Sequence, residues 1–216
     1  MQKGTFIVLE GIDGSGTTTH CKILAEKLRE IGFNVHITQE PSNLKVGKLL
    51  REYLKIKEIP PPTDALLFAA DRVEHYYNEI LPKLQEGFVV ISDRYIESSI
   101  AYQCAQSGNK YKYMKEDFNI TEEWIENINK FVKYPDITIL LDIDPEISLK
   151  RKYKQSENPE KFENVDFLKV VRKIYLNRAK FKNYYILDVN NSIDIVSENI
   201  YKIIKKFLNL LKILKV

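Results

Sequence analysis

Five short apolar runs constrain this chain more than any other feature. They are Phe6–Leu9, Val35–Thr38, Phe88–Ser92, Ile137–Ile143 and Tyr185–Val189. Several are continuous β-branched stretches rather than alternations of apolar and polar residues. A strand with one wet face alternates; a strand covered on both faces does not. Helical patterns separate the runs, over Thr18–Ile31, Thr63–Glu86, Glu97–Gln106, Glu122–Val132, Glu146–Lys154, Val165–Lys182 and Ile193–Leu214. Gly32 and Gly87 stand where helices stop. Thr63 or Asp64 is the expected N-cap of the second pattern, and Pro82 is expected to kink or divide it. Strands alternating with helices predict an α/β doubly wound fold, with a five-stranded parallel sheet flanked by helices. The 216 residues suit one domain over 1–216.

Composition narrows the function classes. With 33 basic against 30 acidic residues, the net charge of +3 is too weak to argue for a nucleic-acid partner. Cys21 and Cys104 have no metal-type spacing and imply no disulfide framework. The apolar stretch behind Met1 is too short for a signal peptide, and no run is long enough to span a bilayer. A cytoplasmic protein without membrane partners is expected.

The first apolar run leads into Gly11-Ile12-Asp13-Gly14-Ser15-Gly16-Thr17-Thr18 and then a helix. This has the G-x-x-x-x-G-x-[ST] frame of a phosphate-binding loop. Glycines let the backbone wrap so that N–H groups face phosphate oxygens, and the helix N-terminus adds its positive dipole end. Residues Gly11 to Thr19 are the expected ATP contacts, and the Thr18 hydroxyl stands where Mg²⁺ is coordinated. One residue departs from the frame: Thr17 replaces the lysine that reaches the β- and γ-phosphates. Three readings follow. The loop is a turn without nucleotide, a site that binds without transfer, or a site completed by another cation. Lys3, Lys22 and residues further along the chain are candidates for that cation.

The third run ends in Ser92-Asp93-Arg94-Tyr95. Ligands of open α/β sheets bind outside the C-terminal strand ends, so Asp93 belongs near Gly11. A carboxylate there can hold Mg²⁺ through water, and the adjacent guanidinium can bridge donor and acceptor phosphates.

These segments resemble the thymidylate kinase family. Glu10 to Gly16 is similar to its first motif, and Glu40-Pro41 with Gly47-Lys48-Leu49-Leu50-Arg51 to its second. Leu67-Phe68-Ala69-Ala70-Asp71-Arg72 is similar to its third, and Asp93-Arg94-Tyr95 with Ser98, Ala101, Tyr102 and Gln103 to its fourth. Leu141 to Glu146 with Leu149-Lys150-Arg151 resembles the strand leading into the lid. The resemblance implies a P-loop kinase of the nucleoside monophosphate type that uses ATP, Mg²⁺ and dTMP, and forms a homodimer. It implies that Phe68 stacks on thymine and Arg72 bonds its carbonyl edge. Ser99, Tyr102 and Gln103 would line the base and sugar pocket. Arg51 and Arg94 would grip the acceptor phosphate, with Asp13 orienting the phosphate and sugar. A lid over about 151–163 would close on ATP; Arg151 is its expected catalytic cation, with Lys154 and Lys161 in reserve. Leu66-Leu67 and Ile100-Ala101 are compatible with a dimer face.

Thr17 and Gln39, which stands where many bacterial relatives have arginine, depart from the family pattern. Two other readings therefore stay open: a nucleotide-binding regulator with little transfer, and a kinase for another deoxynucleoside monophosphate.

Overall fold

β1 (Thr5–Gly11) forms the middle of the sheet, and every residue of it is buried. Its side chains alternate between two cores: Ile7 and Leu9 enter one apolar cluster, Phe6 and Val8 the other. Both faces of the strand are therefore covered, as its unbroken apolar run requires. The computed structural model describes residues 4–56, 59–107, 119–153, 164–180 and 184–213. β2 (Val35–Gln39), β3 (Val89–Asp93), β4 (Ile137–Asp142) and β5 (Tyr184–Asp188) complete a five-stranded sheet in the order β2-β3-β1-β4-β5. All of its ladders are parallel. β5 closes one edge, and there Tyr185 and Ile186 are exposed.

β1 lies between β3 and β4, so the chain leaves it toward one side of the sheet and returns on the other. That switch opens a crevice beyond the C-terminal strand ends, where Gly11, Asp93 and Asp142 finish β1, β3 and β4. The helices are α1 (Thr17–Glu30), α2 (Lys45–Tyr53), α3 (Pro61–His75), α4 (Leu81–Gln85), α5 (Ile96–Cys104), α6 (Glu122–Ile128), α7 (Pro145–Tyr153), α8 (Val165–Arg178) and α9 (Ile193–Ile213).

Two expectations are corrected, one is refined and one helix is added. The helical pattern expected from Thr63 begins earlier, with Pro60 at the cap position and Pro61 opening the helix. Proline is suited to the first turn, whose N–H groups have no intrahelical partner. Asp64 lies inside that first turn and is fully buried. The run is divided just before Pro82, where a π-helical turn, Tyr76–Ile80, joins α3 to α4. There the Leu81 N–H donates to the Tyr76 carbonyl, five residues back. Pro82 has no N–H to offer Asn78, and the wider turn accommodates that loss. α2 was not legible as a helix. Finally, Ile100 and Ala101 are fully buried in this chain's own core, so of the apolar pairs expected on a dimer face only Leu66 is clearly exposed.

Candidate active site

The crevice holds two cavities that meet. The larger, about 680 Å³, follows the phosphate loop from Asp13 to Thr19. Its opposite wall is Arg151 and Lys152 from α7, with Val189 and Asn191 to Ile193 beyond β5. Gly14 and Gly16 adopt left-handed backbone, with φ of 79° and 91°, which only glycine tolerates cheaply. A side chain on Gly14 would also strike the Ser148 carbonyl. Thr17 lines this cavity and is itself nearly buried. Gly11 and Ile12 sit behind the loop; Ile12 belongs to the apolar core.

The smaller cavity, about 170 Å³, lies between α3 and α5. Phe68 and Arg72, four residues apart on α3, share the face that lines it. Leu54, Tyr95, Ser98, Tyr102 and Gln103 are also at its wall. Phe68 is half-buried at the cavity and belongs to neither core cluster. Gln103 is 1% exposed, yet neither atom of its amide has a partner among the described residues. The Arg72 Nε is likewise buried without one. Buried polar atoms are costly unless something completes them, so both point to a ligand with hydrogen-bonding edges. Ser99 is turned beneath the wall, where its hydroxyl accepts from Arg72 Nη2 at 2.9 Å.

Asp13 and Arg94 line both cavities and mark their junction. Arg94 follows β3 with φ of 71°, a strained conformation for a side-chain-bearing residue. Its N–H donates to the Leu9 carbonyl, and Ser92 Oγ donates to its carbonyl, so the turn is held from both sides. The guanidinium reaches Asp13 Oδ1 at 2.5 Å and lies over the Tyr102 ring. The Asp13 N–H donates to the Tyr102 hydroxyl at 3.1 Å, and that hydroxyl donates back to Asp13 Oδ1 at 3.2 Å. Lys152 Nζ lies 3.1 Å from Asp13 Oδ2. Burial pushes the Asp13 carboxyl up, but Arg94 and Lys152 outweigh it and hold the group below its ordinary value. It is a fixed carboxylate, not a proton carrier near neutral pH.

Thr18 donates to Asp93 Oδ2, while the buried Asp93 Oδ1 has no partner among the described residues. A hydroxyl and an open carboxylate oxygen are hard donors that suit a divalent cation. Arg51 lines neither cavity; its guanidinium donates to the carbonyls of Pro41 and Ser42. Arg151 donates to the Val189 carbonyl at 3.0 Å, on the wall facing the loop. Lys3, Lys154 and Lys161 lie outside the described residues, as does most of the expected lid. The signal for Lys152 was only its place within a cation-rich run.

Glu10 ties this arrangement together. Its Oε1 accepts from the Tyr95 N–H at 2.8 Å, and its Oε2 accepts from Ser98 Oγ at 2.5 Å and from the Tyr175 hydroxyl at 3.1 Å. Burial raises its carboxyl from 4.5 to about 7, against the pull of those hydroxyls and of Arg94. The folded chain therefore binds this proton more tightly than the unfolded chain. The resulting stability is full below pH 4.5 and is lost as pH rises through 7. We expect Glu10 alone to lower stability by about 3 kcal/mol between those limits. Urea unfolding from pH 5 to pH 8 measures it. Glu10→Gln should flatten the slope, and an unchanged slope in that variant would refute the assignment.

A parallel sheet in this strand order, with a phosphate loop at the switch point and a second cavity joined to it, defines the P-loop kinases of the nucleoside monophosphate type. Comparison with known proteins narrows this. The family model described as Thymidylate kinase matches residues 9–200. Proteins described as "Probable thymidylate kinase" from Pyrobaculum calidifontis and Pyrobaculum aerophilum are 45% and 43% identical over 202 residues, covering 93% of this chain and 96% of theirs. One from Pyrococcus abyssi is 40% identical over 211 residues, covering 94% and 97%. The chain belongs to the thymidylate kinase family. Among the described residues, no helix is long and apolar enough to cross a membrane.

Proposed function

We propose that this chain transfers the γ-phosphoryl group of ATP to dTMP, giving ADP and dTDP. The observation that supports it best is the junction at Asp13 and Arg94, where a phosphate-loop cavity meets one walled by Phe68, Arg72 and Gln103. ATP would lie along the loop, with its phosphates on the N–H groups of Gly14 to Thr19. Thr18 and Asp93 would hold Mg²⁺, which when bound neutralises phosphate charge. Phe68 offers a face for a pyrimidine ring. Arg72 Nε is a fixed donor for a ring carbonyl, and the Gln103 amide carries both a donor and an acceptor for an imide edge. Tyr102, locked to Asp13, would pack beneath the sugar.

Transfer is in line. The bond from the γ-phosphorus to the β–γ bridging oxygen breaks, and ADP leaves with that electron pair. A bond forms from an acceptor phosphate oxygen, which at neutral pH carries no proton that must be removed. Arg94 stabilises the charge that spreads over the moving group, so positioning and electrostatics do the catalysis.

ADP release with dTMP, dUMP, AMP, GMP and CMP tests the reading, and equal rates on all five would contradict it. Gln103→Met sharpens the test. It removes two unpartnered buried polar atoms at similar volume, so stability should hold or rise. The dTMP KM should rise about tenfold or more, because a buried polar contact to the ligand is lost. An unchanged KM would remove Gln103 from the base site.

A further inference from the structure

The phosphate loop lacks its own lysine, because Thr17 stands at that place. We infer that Lys152, on the opposite wall of the cavity, supplies to the donor phosphates the positive charge that the loop does not. This rests on the kinase reading above.

The position of Lys152 is built rather than incidental. α7 docks on the loop through Ser148, whose hydroxyl donates to the Asp13 carbonyl. The Ser148 carbonyl also occupies the space that a side chain on Gly14 would need. Residues four apart on a helix share a face, so the face seated on the loop carries Lys152 one turn later. The Lys152 side chain is 19% exposed and lies 3.1 Å from Asp13 Oδ2. Its place follows from a helix packed on the loop.

The other cations described near the loop face elsewhere. Arg151 turns to the Val189 carbonyl. Arg94 holds the other Asp13 oxygen, at the junction with the acceptor cavity. Lys22 is exposed on α1 and lines neither cavity. Lys152 lines the loop cavity alone, which is the donor side. An ammonium has three N–H donors, so a bond to Asp13 does not exhaust its capacity to meet phosphate oxygens. It is also the same flexible point charge that the usual loop lysine presents, approaching from the other side.

The test compares the unaltered chain with Lys152→Met, Lys152→Arg and Thr17→Lys/Lys152→Met. Each is assayed for dTDP formation and titrated calorimetrically with ATP, ADP and AMP in the presence of Mg²⁺. Lys152→Met should lower kcat by about 10²-fold, and Lys152→Arg should stay within about tenfold of the unaltered chain. Adding Thr17→Lys to Lys152→Met should restore kcat by about tenfold or more, since the charge returns to the usual place. In binding, Lys152→Met should weaken ATP and ADP by about tenfold while leaving AMP unchanged, because AMP has no β-phosphate for the ammonium to meet. A merely structural lysine would give neither the rescue nor that pattern. Turnover of Lys152→Met near that of the unaltered chain, equal effects on all three nucleotides, or no rescue in a folded double variant would overturn the inference. If the double variant does not fold, the nucleotide series decides. If the unaltered chain forms no dTDP, the kinase reading fails by itself, and the nucleotide series still decides the role of Lys152.

Discussion

Arg94→Ala should lower kcat by about 10³-fold or more, the range an arginine supplies to phosphoryl transfer when it meets the moving group. Arg94 is the one cation lining both cavities among the described residues, so its loss strikes the point where donor and acceptor would meet. Its backbone supplies a control. At φ of 71° an alanine keeps the left-handed strain of the native residue, whereas a glycine relieves it. Arg94→Gly should therefore be more stable than Arg94→Ala by about 1 kcal/mol, yet no more active. Chemical unfolding with steady-state kinetics on both variants separates strain from charge. Asp13 keeps Lys152 and Tyr102 in either variant, so the loop has other anchors. Turnover within tenfold of the unaltered chain would remove Arg94 from the transfer step.

Arg72→Ala should cost about 3–5 kcal/mol of stability, the usual penalty for stripping one partner from a buried ion pair. Arg72 is fully buried. Its Nη1 donates to Asn129 Oδ1 at 2.7 Å, and its Nη2 donates to Ser99 Oγ and to the Tyr95 carbonyl. Glu40 Oε2 lies 2.7 Å from the same Nη2, a close ion pair that lacks hydrogen-bond alignment. Removing the guanidinium leaves Glu40 beside His75 in a buried setting, with no arginine to balance it. Arg72→Met with Glu40→Gln should recover part of the loss, because neither charge is then stranded. A loss under 1 kcal/mol for Arg72→Ala, read from urea midpoints, would mean that the pair carries little. Lost activity in Arg72→Ala therefore does not report base specificity alone. Gln103→Met is the cleaner probe of the pyrimidine edge.

The sites divided unevenly between what the sequence displayed and what it hid. The glycines of the loop were legible because left-handed turns favour glycine over residues with a side chain. Phe68 and Arg72 were legible as a pair because helical spacing puts them on one face. Ser99 and Arg51 were harder to place. Each belongs to a family motif, but the direction of a side chain depends on packing that no motif encodes. Ser99 supports Arg72 from beneath, and Arg51 is turned onto the carbonyls that follow β2. The short, charged α2 runs for only nine residues, too few for its apolar stripe to be read as a helix. The π-helical turn before α4 left only Pro82 as its sign.

The sequence by itself determined the layering of strands and helices, the strand-to-helix loop that faces phosphate, and the family. Those properties are written in local periodicity and in glycines at backbone conformations that few other residues accept. Tertiary structure decided which charges meet. Asp13 and Lys152 are 139 positions apart, and only the docking of Ser148 on the loop brings them together. Electrostatic interaction depends on distance through the fold, and distance along the chain does not report it. The gap at Thr17 is written in the sequence; the lysine across the cavity from it is placed there only by the docking of α7 on the loop.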